Sequence, residues 1–275
     1  MKALLTSAAC IGIALSTGSA PLLAQLHDNS EKQMTCSKSY GGNQARHCEI
    51  REVSLPAVGS LNVEASPNGG AVVRGWARAE VLVRAKIEAS GENEGDASNL
   101  ASRVNIEASG GQVRASGPEN LRRYGWSVSY EIFTPQTTDL TVKSHNGGIV
   151  VSDLRGKLHV ETYNGGVDMK RVMGDVVGTT YNGGINIEMA GRFWDGRQME
   201  LSTHNGGVSL AVPAQFSARI QAETAQGELR SDFPLPMSPE NNRTRRWDFA
   251  IGGGGAPIHI TTANGGIHLK RTEAQ

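Results

Sequence analysis

The chain has 275 residues, enough for one large or two small domains and for a buried core. Lysine plus arginine and aspartate plus glutamate each number 27, so the formal net charge is zero. There is no protein-wide field to attract a polyanion, which excludes nucleic acid and an acidic bilayer as expected partners.

In chain order, the first element is an export signal. Lys2 precedes an apolar run from Ala3 to about Leu15, and small and turn-forming residues lead to Leu22-Leu23-Ala24 before Gln25. That order predicts a secretory signal peptide over residues 1–24, with cleavage after Ala24 and an apolar part too short to span a bilayer. A lipoprotein reading would have to use Cys10, which lies inside the apolar run with too little chain before it. No later window reaches spanning length, so no transmembrane segment is expected after cleavage, and the expected location is periplasmic or secreted.

Residues 25–50 read as a polar segment that keeps the two remaining cysteines, Cys36 and Cys48. An even pair in an oxidising compartment predicts a disulfide closing a small loop. His47 and two thiols supply too few ligands for a metal, and neither metal nor cofactor is expected.

Residues 51–275 read as one all-β domain. Alternation at Val81, Val83, Ala85 and Ile87, and again at Val128, Tyr130 and Ile132, predicts strands between Glu52 and Phe133. The acidic stretch Gly91 to Ala101 interrupts them, with Asp96 as the expected N-cap of a short helix through Arg103. Arg122 and Arg123 form a local basic group of the kind found in solvated loops.

One phrase then recurs: Ser144-His145-Asn146-Gly147-Gly148, Thr162-Tyr163-Asn164-Gly165-Gly166, Thr180-Tyr181-Asn182-Gly183-Gly184, Thr203-His204-Asn205-Gly206-Gly207 and Thr262-Ala263-Asn264-Gly265-Gly266. An early copy stands at Ser66-Pro67-Asn68-Gly69-Gly70 and a degenerate one at Thr224-Ala225-Gln226-Gly227. From Asn146 the spacings are 18, 18 and 23 residues, then 21 to Gln226 and 38 more to Asn264. Before each turn alternate residues share a face, as at Leu158, Val160 and Thr162 or Ile258, Ile260 and Thr262; after it Val167 and Met169, or Ile267 and Leu269, do the same.

Each unit therefore offers two short strands joined by Asn-Gly-Gly. Asn-Gly alone suggests a stack of β-hairpins, with positive φ at the turn. In a meander, however, the turns alternate between the two ends of the sheet, whereas here one phrase recurs with the same flanks once per two strands. That order favours a β-solenoid of about 18–23 residues per coil, each coil laying its residues over those of its predecessor in parallel ladders. Asn146, Gly147, Asn164, Gly165, Asn182, Gly183, Asn205, Gly206, Asn264 and Gly265 are the expected structural turn residues.

Residues 233–256 break the repeat as a long loop, since Pro234, Pro236 and Pro239 exclude a regular strand there. Arg243, Arg245 and Arg246 beside Trp247 read as part of that solvated loop. Gly252 to Gly255 is no phosphate loop, being followed by Ala256-Pro257 and not by Gly-Lys-Ser/Thr.

The run from Leu140 to Phe233 with its Thr-x-Asn-Gly-Gly-Ile/Val phrases, the last strand pair Ile258 to Lys270, and the earlier Gly75-Trp76-Ala77-Arg78-Ala79-Glu80-Val81 resemble the bacterial adhesin-type family of unknown function with a toastrack-like β-solenoid. The resemblance spans roughly residues 50 to 270. It implies an extracytoplasmic β-solenoid with surface or ligand-binding roles and no accepted catalytic residues. The cysteine pair is a departure from that family's pattern.

His145, Tyr163, Tyr181 and His204 occupy the x position of the phrase and are expected to point outward in one column. Two readings stay open: aromatic packing between coils, and a strip that binds a glycan or an envelope protein through ring faces and polar tips. Three rungs separate His145 from His204, ~14 Å, too far for two ligands of one zinc. No Gly-x-Ser-x-Gly elbow is present, and Glu161, Asp168, Asp175 and Glu188 stand on short rungs with no insertion to wall a cleft. The expectation is a non-catalytic binding or scaffolding protein of the cell envelope. The alternative is a carbohydrate-active β-helix enzyme using the charged residues of the 233–256 loop, among them Glu240 and Asp248.

Overall fold

The computed structural model describes residues 34–36, 44–192, 194–234 and 245–272. The expected signal peptide and the centre of the expected 233–256 loop, with Glu240 and Arg243, lie outside these residues. The chain forms β1 (Ala45–Pro56), β2 (Ser60–Asn68), β3 (Ala71–Trp76) and β4 (Glu80–Gly91), then helix α1 (Glu94–Ser102), then β5 (Asn105–Ser109), β6 (Gln112–Ser116) and β7 (Gly125–Pro135). Strand pairs follow: β8 (Asp139–Asn146) with β9 (Ile149–Ser152), β10 (Arg155–Asn164) with β11 (Val167–Lys170), and β12 (Met173–Asn182) with β13 (Ile185–Glu188). Next come β14 (Met199–Asn205) with β15 (Val208–Pro213) and β16 (Ala218–Gln226) with β17 (Leu229–Ser231). The chain ends with β18 (Arg246–Ile251) and the pair β19 (Pro257–Asn264) and β20 (Ile267–Thr272).

These strands make two ten-stranded sheets, ordered β1-β4-β7-β3-β9-β11-β13-β15-β20-β17 and β18-β16-β19-β14-β12-β10-β8-β2-β6-β5. The two strands of a pair lie in different sheets, so the Asn-Gly-Gly turn carries the chain from one sheet to the other. A hairpin would have made them antiparallel neighbours. Instead β10 pairs in parallel with β8 and β12, placing Asn164 between Asn146 and Asn182. In the other sheet β11 pairs in parallel with β9 and β13. Leu158, Val160 and Thr162 before the turn, and Val167 and Met169 after it, are buried, and their counterparts in the other pairs join them in one continuous core.

Spatial order departs from chain order at the last units. β19 inserts between β14 and β16, so Asn264 stands beside Asn205 and the degenerate Gln226 is displaced outward. The arrangement keeps every asparagine next to another and leaves the copy without one near the end of the stack. At the other end β1, β4 and β7 pair antiparallel. Helix α1 packs Ala97, Leu100 and Ala101 inward beside β4 and β1. Its N-cap is Asn93, not Asp96: the Asn93 side chain accepts from the Asp96 amide at 2.9 Å, which leaves Asp96 in the first turn, where a carboxylate complements the helix dipole.

The expected 233–256 loop is corrected in its second half. Trp247, Phe249 and Ile251 alternate inward along β18, which pairs antiparallel with β16, and Trp247 is among the largest fully buried side chains. The Trp-x-Phe-x-Ile alternation outweighs the neighbouring prolines and glycines because those lie outside the strand itself. Cys36 and Cys48 are joined, Cα atoms 5.8 Å apart, tying residue 36 to β1.

The expected positive φ is also corrected at the turns from Asn146 onward, while Gly69 of the early copy keeps it at 156°. Outside glycine, positive φ occurs at Asp153 and Arg171, at the corner that follows β9 and β11, and it is not found at Asn146, Asn164 or the glycines after them. The first glycine of each phrase is required by contact. A Cβ on Gly165 would stand 2.2 Å from the carbonyl oxygen of Gly147, and one on Gly183 would stand 2.0 Å from that of Gly165. The second glycine has ordinary room, with a Cβ on Gly166 3.5 Å from the nearest atom. Gly165→Ala is therefore expected to cost about 3 kcal/mol, since two backbones must part, and Gly166→Ala roughly 1 kcal/mol or less. Urea denaturation of both variants checks this, and equal losses would contradict the contact argument.

Candidate functional site

From Ser144 onward the turn phrases distribute their side chains in the same way. The Ser or Thr points inward and its hydroxyl donates to the first-glycine carbonyl of a neighbouring turn: Thr162 to Gly147 at 2.9 Å, Thr180 to Gly165 and Thr203 to Gly183 at 2.8 Å. The asparagines form an amide ladder. Asn146 donates to Asn68, Asn164 to Asn146, Asn182 to Asn164, Asn205 to Asn182 and Asn264 to Asn205, all between 2.7 and 2.9 Å.

The residue between them points outward, and there His145, Tyr163, Tyr181 and His204 stack. Successive ring centroids are 5.0, 4.8 and 4.6 Å apart, with interplanar angles of 10°, 2° and 11°. The rung spacing of a parallel sheet, ~4.8 Å, sets this ring spacing. Tyr163 and Tyr181 are 45% and 42% exposed, although rings of this size usually seek cover. Face-to-face stacking turns their edges and hydroxyl tips to solvent and covers their faces. The expectation that the strip presents apolar ring faces is thus not met at Tyr163 and Tyr181, each of which has a ring on both sides. Among the described residues no group of His, Cys, Asp or Glu is placed to hold a metal ion.

Beside the stack runs an open groove of about 840 Å³ whose next column of outward residues includes Lys143, Glu161, Thr179 and Ser202. Lys143 Nζ lies 3.1 Å from Glu161, and this hydrogen bond, opposed by partial burial, holds the Glu161 carboxyl below the usual carboxylate range. The other carboxylates noted in the sequence do not converge on it. Asp175 is engaged by Arg197, which lowers its pKa, while Asp168 accepts from Asn186 on the opposite sheet. Glu188 also lies on that opposite sheet, in β13.

Two clusters escaped the sequence reading. On the outer face of the first sheet Glu131, 4% exposed, is bracketed by Arg74 at 2.5 Å and Arg84 at 3.3 Å, and both guanidiniums lie over the Phe133 ring. Trp76 stacks on Phe133 with centroids 5.2 Å apart. Both carboxylate oxygens are used, so this group ties β3, β4 and β7 together. The sequence signal was Glu131 and Phe133 on the outward set of β7, alternating with inward Tyr130 and Ile132. The second cluster lies on the same sheet, where Asp232 accepts from Arg271 N and meets His268 Nε2 at 3.0 Å; His268 and, beside it in register, Ser209 line a groove of about 580 Å³. Among the hydrogen bonds of the described residues none joins Ser209 to His268, and the His268–Asp232 pair is partly exposed.

Two mostly parallel sheets joined by stacked, self-complementary turns define a repeat-built β protein whose ordered outer feature is a ring column. Residues 101–270 match the family model described as Toastrack DUF4097, which is more than half of the chain, and the chain belongs to that family. A candidate cell adhesion protein of Clostridium sporogenes is similar to it in structure at 13% identity and a TM-score of 0.44, over 83% of this chain and 100% of its own. A candidate adhesin of Bacteroides fragilis is similar at 10% identity and a TM-score of 0.33, over 82% and 97%. No curated protein matches.

Lys143 is the first cause of the lowered Glu161 pKa, so Lys143→Ala should raise that midpoint toward the ordinary value, read by carbon-detected NMR titration. A carboxyl lowered on folding contributes stability above its unfolded-state pKa and loses it as pH falls through the folded value, so the variant should lack this acid-side loss. An unmoved Glu161 midpoint would contradict the pairing.

Proposed function

We propose that this chain is an extracytoplasmic, non-catalytic binding or scaffolding protein of the bacterial cell envelope, periplasmic or secreted, folded as a β-solenoid. Its recognition strip is the column His145, Tyr163, Tyr181 and His204. The observation that carries this reading is the stack itself: four rings in register, with the two tyrosines nearly half exposed, on a face whose strands are already paired on both sides. Stacked rings lose little further freedom when a ligand arrives, which lowers the entropic cost of binding, and their hydroxyl tips add polar contacts. Ring stacking also stabilises the sheet by ~0.5–1.5 kcal/mol per pair, but that gain does not require the polar tips of Tyr and His to face an open groove.

The export signal read in the sequence and membership of the toastrack family support an envelope setting. The dispersal of Glu161, Asp168, Asp175 and Glu188 over two sheets, each held by structural partners or standing apart, supports a non-catalytic role. The quadruple variant H145A/Y163A/Y181A/H204A should keep its β-type circular dichroism and lose at least tenfold in capture of its partner from detergent-solubilised envelope or from envelope glycan. A folded quadruple variant that captures as the wild type does would overturn the strip, and turnover of any offered polysaccharide by the wild type would overturn the non-catalytic reading.

A further inference from the structure

We infer that the stack ends in a ring-sized slot, walled by the outer face of His204 and floored by Ala263 and Ala225, which seats a pyranose ring of a neutral glycan. This rests on the recognition-strip reading and names its ligand class. The register places Thr262 beside Thr203 and beside Thr224, so the outward position next to His204 is Ala263 and the one after it is Ala225. The ring column is thus continued for two rungs, ~10 Å, by methyl groups alone. Ala225 is exposed and Ala263 half-buried, and the open groove extends over both. Among the described residues no ring stacks on the outer face of His204.

A six-membered ring placed there with its C–H face toward His204 would meet imidazole at about the 4.6–5.0 Å spacing that the four protein rings already keep. The next outward column supplies the hydroxyls of Ser202 and Thr261 and the carboxylate of Glu223 along the slot, suited to the equatorial hydroxyls of a sugar whose apolar C–H face lies on the histidine. At the far end Arg245 donates to the carbonyl of Ala225. Glu223 stands in register opposite Arg246, and Arg245 is engaged with the Ala225 carbonyl, so the charges beside the slot are mixed in sign and each already has a protein neighbour, which gives no lone charge to select an ionised sugar. An extended peptide is disfavoured because the slot lies within the sheet, where β19 is paired on both sides and the outer edge of β16 is covered by β18, so no main-chain groups are free for strand addition.

Ala263→Tyr fills the slot by adding a fifth ring in register, and Ala263→Ser leaves it open. The test is binding to a printed array of neutral hexose and N-acetylhexosamine oligomers, with acidic oligosaccharides and aromatic-containing peptides alongside. The expected result is wild-type binding to neutral oligomers, at least a tenfold loss in Ala263→Tyr with a raised thermal midpoint, and unchanged binding in Ala263→Ser. His204→Ala, which removes the wall without adding bulk, should show the same loss even if the tyrosine variant fails to fold. Neutral-glycan binding that survives in folded Ala263→Tyr or in His204→Ala would overturn the slot. Binding only to acidic glycans or peptides, or to nothing on the array, would overturn the sugar assignment. Capture by the quadruple alanine variant decides the strip separately.

Discussion

The structure depends on one close approach, in which a turn lies so near its neighbour that the first glycine Cα sits against a carbonyl oxygen with no space for a Cβ. Along the column from Gly147 to Gly227 an added Cβ would stand 2.0–2.2 Å from the neighbouring oxygen. That same oxygen accepts the hydroxyl of a buried Ser or Thr from the adjacent unit. The glycine makes the approach possible and the hydroxyl satisfies the carbonyl that the approach removes from water, where an unpaired polar group would cost a few kcal/mol. Asn then adds a side-chain amide bond per rung, and the turn amide donates to the next asparagine carbonyl, as Gly165 N does to Asn182 O at 3.0 Å.

Once the turns are stacked, much else follows without further specification. Inward residues on either side of the turn land above their counterparts and fill a continuous core. Outward residues at the x position land in a column, so two tyrosines and two histidines become a stack by register alone. The insertion of β19 between β14 and β16 obeys the same constraint, because Asn264 can continue the amide ladder from Asn205 and Gln226 has no such side-chain partner among the described hydrogen bonds. Chain order yields to turn chemistry.

The inward set was legible in the sequence because period-two alternation is local: Leu158, Val160 and Thr162 need no knowledge of their neighbours in space. The ring column was legible for the same reason, given a fixed phrase. What was not legible depends on distances between units. Asn-Gly suggested positive φ, whereas the glycine answers to a carbonyl from another turn. β18 was hidden because prolines and a glycine run bracket a strand whose only local mark is Trp247, Phe249 and Ile251. The closed ring faces could not be foreseen from residue types alone, since an outward tyrosine presents a face or an edge according to what stands on the next rung. The slot beyond His204 could not be foreseen either, because it exists only through the placement of Ala263 next to a unit 59 residues earlier.

The central claim, that a buried hydroxyl satisfying a glycine carbonyl holds each turn to the next, is tested most directly by comparing Thr180→Val with Thr180→Ser in urea denaturation. Valine keeps the shape and removes the donor, leaving the Gly165 carbonyl unsatisfied, so a loss of about 1–3 kcal/mol is expected, with serine retaining most of the stability. Equal stability of wild type and Thr180→Val would contradict the account.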